Sequence, residues 1–375
     1  MSTIFEGSNY KLGFGCMRLP TQKGKKIDYE EFSKMVDHFL NSGFNYFDTA
    51  HGYMRGQSEI ALRECLTKRY DRSKYILANK LTTLNFEKEE DIIPLFNSQL
   101  ESCGVTYFDY YLMHSQSADI FKKYKKCRAY EVALKLKEMG RIRHFGISFH
   151  DRAEVLEGII QEYPQIEVVQ IQFNYVDYEN AAVQSRKCYE VCQKFGKPVI
   201  VMEPCKGGSL VRLPAEAHAI FNKLNNESPA SYALRFAAGF ENVYMVLSGM
   251  SNIHQVKENT SWMKNFIPLS SREYEAIKSV CKIFSEKDFI QCTACRYCVD
   301  QCPQNISIPD LFACLNAKRQ FHNWNQDYYY NIAYTSSGGK ASSCICCGNC
   351  EKICPQHLSI HELLVVVAEE FEKKR

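Results

Sequence analysis

Two runs of cysteine near the end of this 375-residue chain share one spacing. The first is Cys292, Cys295, Cys298 and Cys302 followed by Pro303; the second is Cys344, Cys347, Cys350 and Cys354 followed by Pro355. Both read C-x2-C-x2-C-x3-C-P, the spacing with which small bacterial electron carriers hold a [4Fe–4S] cubane. The tight turns bring three thiolates to one face of a cluster, and the proline then leads the chain away. In two-cluster carriers the fourth cysteine of each run ligates the other cluster. One cluster is therefore expected on Cys292, Cys295, Cys298 and Cys354, and the other on Cys344, Cys347, Cys350 and Cys302. Cys346 is left over. Structural zinc would ask for C-x2-C twice, with no call for a repeated x3-C-P ending.

A second kind of chemistry is written between Phe44 and Glu59, FNYFDTAHGYMRGQSE. Asp48 stands where a short apolar run stops, and Tyr53 follows on a loop flanked by Gly52 and Gly56. A carboxylate at the end of a buried strand is costly unless a partner meets it. The elements that must supply that partner alternate along the chain. Short apolar runs at Leu12–Met17, Phe44–Asp48, Tyr75–Lys80, Phe108–His114, His144–Ser148, Val168–Phe173, Pro198–Glu203 and Val243–Ser248 are each followed by a stretch with helical spacing. Eight such units over about 250 residues predict a (β/α)8 TIM barrel, α/β in class. An open doubly wound sheet would carry a Gly-rich phosphate turn after its first strand, and GFGCMR lacks the G-x-G-x-x-G spacing. Chemistry in such a barrel gathers at the C-terminal strand ends. There the chain places Asp48, Lys80, His114, Ser148 and Glu203.

Asp48, Tyr53, Lys80 and His114, in this order, resemble the catalytic tetrad of the aldo-keto reductase family. FDTAHGY…SE, YILANK, DYYLMH, RIRHFGIS and VVQIQFNY resemble the family's segments around it, and the likeness runs over residues 10–265. Barrel and tail together resemble a ferredoxin-fused subgroup of that family. The resemblance implies that Tyr53 protonates a carbonyl oxygen as hydride reaches carbon. It implies that Lys80 lowers the tyrosine's pKa, Asp48 holds Lys80, and His114 orients the carbonyl by a hydrogen bond. It also implies a nicotinamide cofactor. Ser148 and Gln170 match positions that hold the carboxamide, while Phe149 stands where the family has Asn and Met202 where an aromatic residue often stacks. Glu258 and Asn259 match the adenosine-binding segment, and a helix N-terminus near Asn252 would suit a phosphate. The Lys and Arg that grip the 2′-phosphate of NADP(H) fall on Gly249 and Gln255, so NAD(H) and NADP(H) both stay open. A flavin is a further candidate for bridging two-electron and one-electron carriers, although no flavin motif is visible.

The remaining composition sets boundaries. A net charge of +3 is too mild for nucleic acid, and the basic run Lys122–Arg128 reads as a solvated loop. No apolar run approaches the about 20 residues that span a bilayer, and MSTIFEGSNYKLG has no signal-peptide layout. A cytoplasmic protein is expected. The 41 residues between Cys302 and Cys344 are too many for a compact ferredoxin hairpin. Ile308–Lys318 has helical spacing, so the tail reads as a mainly helical ferredoxin-like domain. Expected domains are 1–280, the barrel, and 281–375, the cluster domain. The leading expectation is an oxidoreductase that interconverts a small-molecule carbonyl and its alcohol. It would be coupled through the clusters to an external one-electron carrier such as ferredoxin or flavodoxin. The alternative is an electron-transfer or accessory protein whose barrel is a cofactor-binding scaffold.

Overall fold

The structure, a computed structural model, describes residues 5–22, 26–82, 85–180, 183–224, 227–285, 290, 292, 297–321, 325–336, 338–352, 354 and 358–372. Two compact units divide the chain between Ile277 and Lys278.

Eight strands close the barrel of the first unit: β1 Leu12–Gly15, β2 Tyr46–Asp48, β3 Ile76–Leu81, β4 Phe108–Gln116, β5 Ile142–Phe149, β6 Val168–Gln172, β7 Val199–Met202 and β8 Val243–Gly249. Every neighbouring pair is parallel, and β1 meets both β2 and β8, so the ring has no edge. Each strand covers one of the eight expected runs, with ends shifted by up to two residues. A helix follows each strand because a parallel return needs a crossover. The first, α1 Tyr29–Asn41, starts at Asp28, whose carboxylate accepts from the Glu31 N–H at 3.0 Å, and it ends before Gly43 at φ +94°. Helices α2 Gln57–Leu62 and α3 Ile92–Cys103 follow β2 and β3.

The expected basic loop is instead helical. Helix α4 Ala118–Lys126 is capped by Ser117, and it precedes α5 Ala129–Glu138. The lysines of KKYKKCR hid a partner for the core. Tyr124 and Cys127 are buried, and the Phe121 ring stands edge-on to Tyr130 at 5.5 Å.

Side chains on a strand alternate between the barrel interior and the helical ring. The interior is filled by Tyr46, Ala78, Tyr110, Leu112, Val168, Ile200, Met245 and Leu247, and Phe5 stacks on Tyr110 and Tyr244. Such large side chains need glycine opposite them. A Cβ on Gly146 would lie 2.5 Å from the Val168 carbonyl oxygen and 2.8 Å from Leu112 Cδ2. Gly146→Ala is therefore expected to destabilise the barrel by about 3 kcal/mol, the upper range for overpacking, and to lower the thermal midpoint of the full chain in circular dichroism. An unchanged midpoint would mean that β5 and β6 move apart freely.

The second unit has its own core. Helices Ile308–Phe321 and Ile360–Phe371 bury Leu311, Phe312, Leu315, Leu364 and Val367, and the Tyr330 ring stacks on Phe371 at 4.6 Å. The closing helix ends at Phe371. Short helical turns Tyr297–Asp300 and Asn349–Lys352 carry Cys298 and Cys350, the third cysteines of the two runs. Among the described residues no helix is long and apolar enough to cross a membrane.

Candidate active site

Two residues beyond the interior layer, the strands place the candidate site. From Tyr46, Ala78, Leu112, Gly146, Val168 and Ile200 the next inward positions are Asp48, Lys80, His114, Ser148, Gln170 and Met202. The period of the strand alone therefore gathers them into one polar layer on top of an apolar plug.

Lys80 is the hub. Its Nζ donates to Asp48 Oδ1 at 2.6 Å, to the Thr49 carbonyl at 2.8 Å and to the Tyr53 hydroxyl at 3.3 Å, and it lies 4.9 Å from the Tyr53 ring centre. Lys80 is fully buried and Asp48 nearly so. Burial alone would pull the lysine's pKa down. The charge on Asp48 and the contact with Tyr53 outweigh it and leave the ammonium more firmly protonated than a free lysine. Asp48 Oδ2 is buried and has no partner among the described residues.

Tyr53 opens a tight turn, Tyr53–Gly56, in which Met54, Arg55 and Gly56 all take left-handed backbone angles. The following Ser58 and Glu59 anchor that strained turn from below. The Ser58 hydroxyl donates to the Cys16 carbonyl and pairs with Thr49 Oγ1, both at 2.8 Å. Glu59 is buried and accepts from Asn79 Nδ2 at 2.8 Å, and it pairs with His51 Nδ1 at 2.9 Å. The motif's SE ending is thus a foundation for the tyrosine. One expectation holds only in part here, because Lys80 does pull the phenol's pKa down but does not set its net direction. Burial pushes the Tyr53 phenol above its ordinary value, and the pull of Lys80 does not overcome it because Asp48 and Glu203 add negative charge. Lys80 spends most of its field on Asp48.

His114 sits at the irregular end of β4, next to Ser115 at φ +56°. Burial, then the Lys80 charge and His150, hold its pKa well below the ordinary value, so the ring is neutral. Its Nδ1 pairs with Thr82 Oγ1 at 3.0 Å, and its ring stands edge-on to Tyr53 with centres 6.0 Å apart. Its backbone carbonyl accepts from Gln116 Nε2 at 3.0 Å and from the Tyr124 hydroxyl at 3.3 Å. Tyr124 also donates to the Leu81 carbonyl, so the buried face of α4 clasps the ends of β3 and β4 together. Thr82 and His150 escaped the sequence reading. Each lies two residues past a site residue on its strand, Lys80 and Ser148, and counting one period further would have found both.

On the opposite side, Met202 Sδ accepts from Gln170 Nε2 at 3.6 Å and from Ser148 Oγ at 4.0 Å. Gln170 is buried, and its Oε1 has no partner among the described residues. An orphan carbonyl oxygen at this place suits a carboxamide NH2, so these three residues fit a nicotinamide. The other expected nucleotide contacts lie around helix α10, Ile253–Lys264. Asn252 caps it by accepting from the Gln255 N–H at 2.9 Å, and the Gln255 side chain turns back to accept from the Ser251 N–H at 2.7 Å. The Ile253 N–H donates to Glu31 Oε1 at 2.8 Å. Asn259 is buried and donates to Ser248 Oγ at 3.0 Å, and Glu258 is half-buried. Gly249 ends β8 with Arg18 beside it, and Arg18 reaches Glu203 at 3.5 Å. Cys16, just past β1, is a buried filler whose thiol burial pushes well up. Lys206, in the Lys-Gly-Gly loop after β7, binds Asp177 at 2.5 Å.

In the second unit one cavity is lined by Cys344, Cys347 and Cys350 of the second run together with Cys302 of the first. This is the crossed set expected for one cluster. Cys346 and His361 line it too. Among the described residues no three of His, Cys, Asp and Glu converge closely enough to hold a single metal ion. Of the other set, Cys292, Cys298 and Cys354 pack on the unit's core, and Cys295 lies outside the described residues.

These two sites have counterparts in known proteins. The profile of the aldo/keto reductase family matches residues 11–282, and that of a 4Fe-4S dicluster domain matches residues 291–359. An uncharacterized oxidoreductase of Bacillus subtilis, YqkF, is 24% identical over 303 residues, covering 72% of this chain and 92% of its own. The NADH-specific methylglyoxal reductase of Escherichia coli is 25% identical over 185 residues, covering 45% of this chain and 54% of its own. Among solved structures, the aldo-keto reductase AKR11C1 from Bacillus halodurans superposes with a TM-score of 0.57 at 26% identity, covering 72% of this chain and 91% of its own. With a closed parallel barrel and a family match over most of its length, the chain is an oxidoreductase that belongs to the aldo/keto reductase family, and a 4Fe-4S dicluster domain follows its barrel in sequence.

Proposed function

We propose that the barrel interconverts a small carbonyl compound and its alcohol with a nicotinamide dinucleotide. The cluster domain exchanges single electrons with an external carrier of ferredoxin or flavodoxin type. The observation that carries the first half is the Lys80 ammonium, held between Asp48 and the Tyr53 hydroxyl. A bound nicotinamide would supply or accept the hydride. Ser148 and Gln170 would hold its carboxamide, through the orphan Gln170 Oε1 above all, with Met202 against the ring.

The chain's own residues handle the proton. Tyr53 stays protonated through neutral pH because burial pushes its phenol above the ordinary tyrosine value, so a proton is present for a carbonyl oxygen. The charge left on the phenolate is met by Lys80, and Asp48 keeps Lys80 in place. Neutral His114 can donate one ring N–H to the same oxygen. In the cluster domain, thiolates of the two runs hold two cubanes. Such clusters would supply one-electron transfer to or from the external carrier.

The nucleotide end favours NAD(H). Three N–H groups at the start of α10 are already satisfied by Asn252, Gln255 and Glu31, and Glu31 adds a negative charge where a 2′-phosphate would lie. The E. coli relative is, by its name, NADH-specific. The full chain, reconstituted anaerobically, is expected to bind NADH at least about tenfold more tightly than NADPH in a fluorescence titration, a difference of about 1.4 kcal/mol. Equal affinities would remove the argument from Glu31. The coupled reading is tested in the same sample. Bleaching of the visible cluster absorbance by the reduced nucleotide supports it. Clusters that stay oxidised while an aldehyde is turned over would place them outside the cycle.

A further inference from the structure

A neutral imidazole has one N–H and one lone pair, and the hydrogen bond at one nitrogen decides which the other presents. For His114 that bond runs from Nδ1 to Thr82 Oγ1 at 3.0 Å. A threonine hydroxyl can give or take, so the distance alone allows two arrangements. If Nδ1–H donated, the hydroxyl hydrogen of Thr82 would need another acceptor, and among the described residues Thr82 Oγ1 bonds to His114 alone. If the hydroxyl donates, its hydrogen is used and the histidine proton is left on Nε2. Nε2 has no partner among the described residues.

We propose that Thr82 is a positioning residue that keeps the His114 proton on Nε2 by donating its hydroxyl to Nδ1, and so keeps His114 a hydrogen-bond donor toward the substrate oxygen. This deepens the carbonyl chemistry proposed above and rests on it for its effect on rate. The reverse tautomer would turn a lone pair toward the carbonyl oxygen, which repels it. Thr82 follows directly on β3, two residues after Lys80, so the same segment holds the tyrosine's cation and sets the histidine's proton.

The test is nitrogen NMR of histidine-labelled, cluster-loaded full chain, together with aldehyde reduction by the native chain and its variants. The native chain and Thr82→Ser are expected to show a protonated Nε2 and a bare Nδ1 for His114. Thr82→Val, of nearly the same shape, is expected to show a mixture. It should lose about tenfold in kcat/KM with nucleotide affinity unchanged, less than the hundredfold or more of removing a donor outright. Thr82→Ser should restore the rate, and in a His114→Phe background Thr82→Val should have no further effect. A native chain with the proton on Nδ1, or a valine variant that keeps both tautomer and rate, overturns the proposal. A chain that reduces no carbonyl would sink the proposed function instead, and the tautomer would still decide the role of Thr82.

Discussion

Tyr53→Phe should lower kcat for carbonyl reduction by about 10²–10⁴-fold, the usual contribution of a positioned acid, while nucleotide affinity and both clusters stay as they are. The phenol ring fills its place either way, and only the proton is removed. The pH profile carries the same signature. A raised phenol pKa means that the acid form is present below it and is lost as pH rises through it. Reduction should hold level across neutral pH and fall only above the ordinary tyrosine value of about 10, and alcohol oxidation, which needs the base form, should rise there. A rate of reduction that already declines between pH 7 and 8 would show that another group supplies the proton. Undiminished turnover by Tyr53→Phe would end the assignment altogether.

The second large effect belongs to Cys302. It stands in the first cysteine run yet lines a cavity with Cys344, Cys347 and Cys350 of the second. Cys302→Ala should cost the cluster held by the second run, about half of the iron and sulfide of the protein. The informative comparison is with double variants. Adding Cys344→Ala to Cys302→Ala should remove little more, because both act on one cluster. Adding Cys298→Ala should remove nearly all of it. Additivity in the opposite sense, with Cys302 and Cys298 falling on one cluster, would mean that each run closes its own cubane.

Much of this arrangement was legible in the sequence because it depends on short-range periods. Strands with apolar runs of five to seven residues announced themselves, and the alternation that puts Tyr46 in the core puts Asp48 one layer above it. The cysteine spacing needed no fold at all. The features that were missed depend on company rather than period. KKYKKCR reads as solvent-facing until Tyr124 finds the carbonyls of Leu81 and His114. The direction of the Tyr53 pKa follows from how Lys80 divides its charge between two neighbours, which a pattern of letters does not contain. Glu31 meets the start of α10 across 222 residues of sequence. No local signal marks such a contact.

The closed ring of strands has a consequence for how this site can fail. Asp48 and Lys80 lie on β2 and β3, and β2, only three residues long, is bound along both sides by β1 and β3. Neither strand can peel away as an edge strand would, because the ring has none. Separating the carboxylate from the ammonium therefore means opening the whole barrel, and opening the barrel exposes that ion pair's full cost. Closure of the ring and the Asp48–Lys80 pair therefore support each other, and a change that loosens β2 is expected to register in stability as well as in rate.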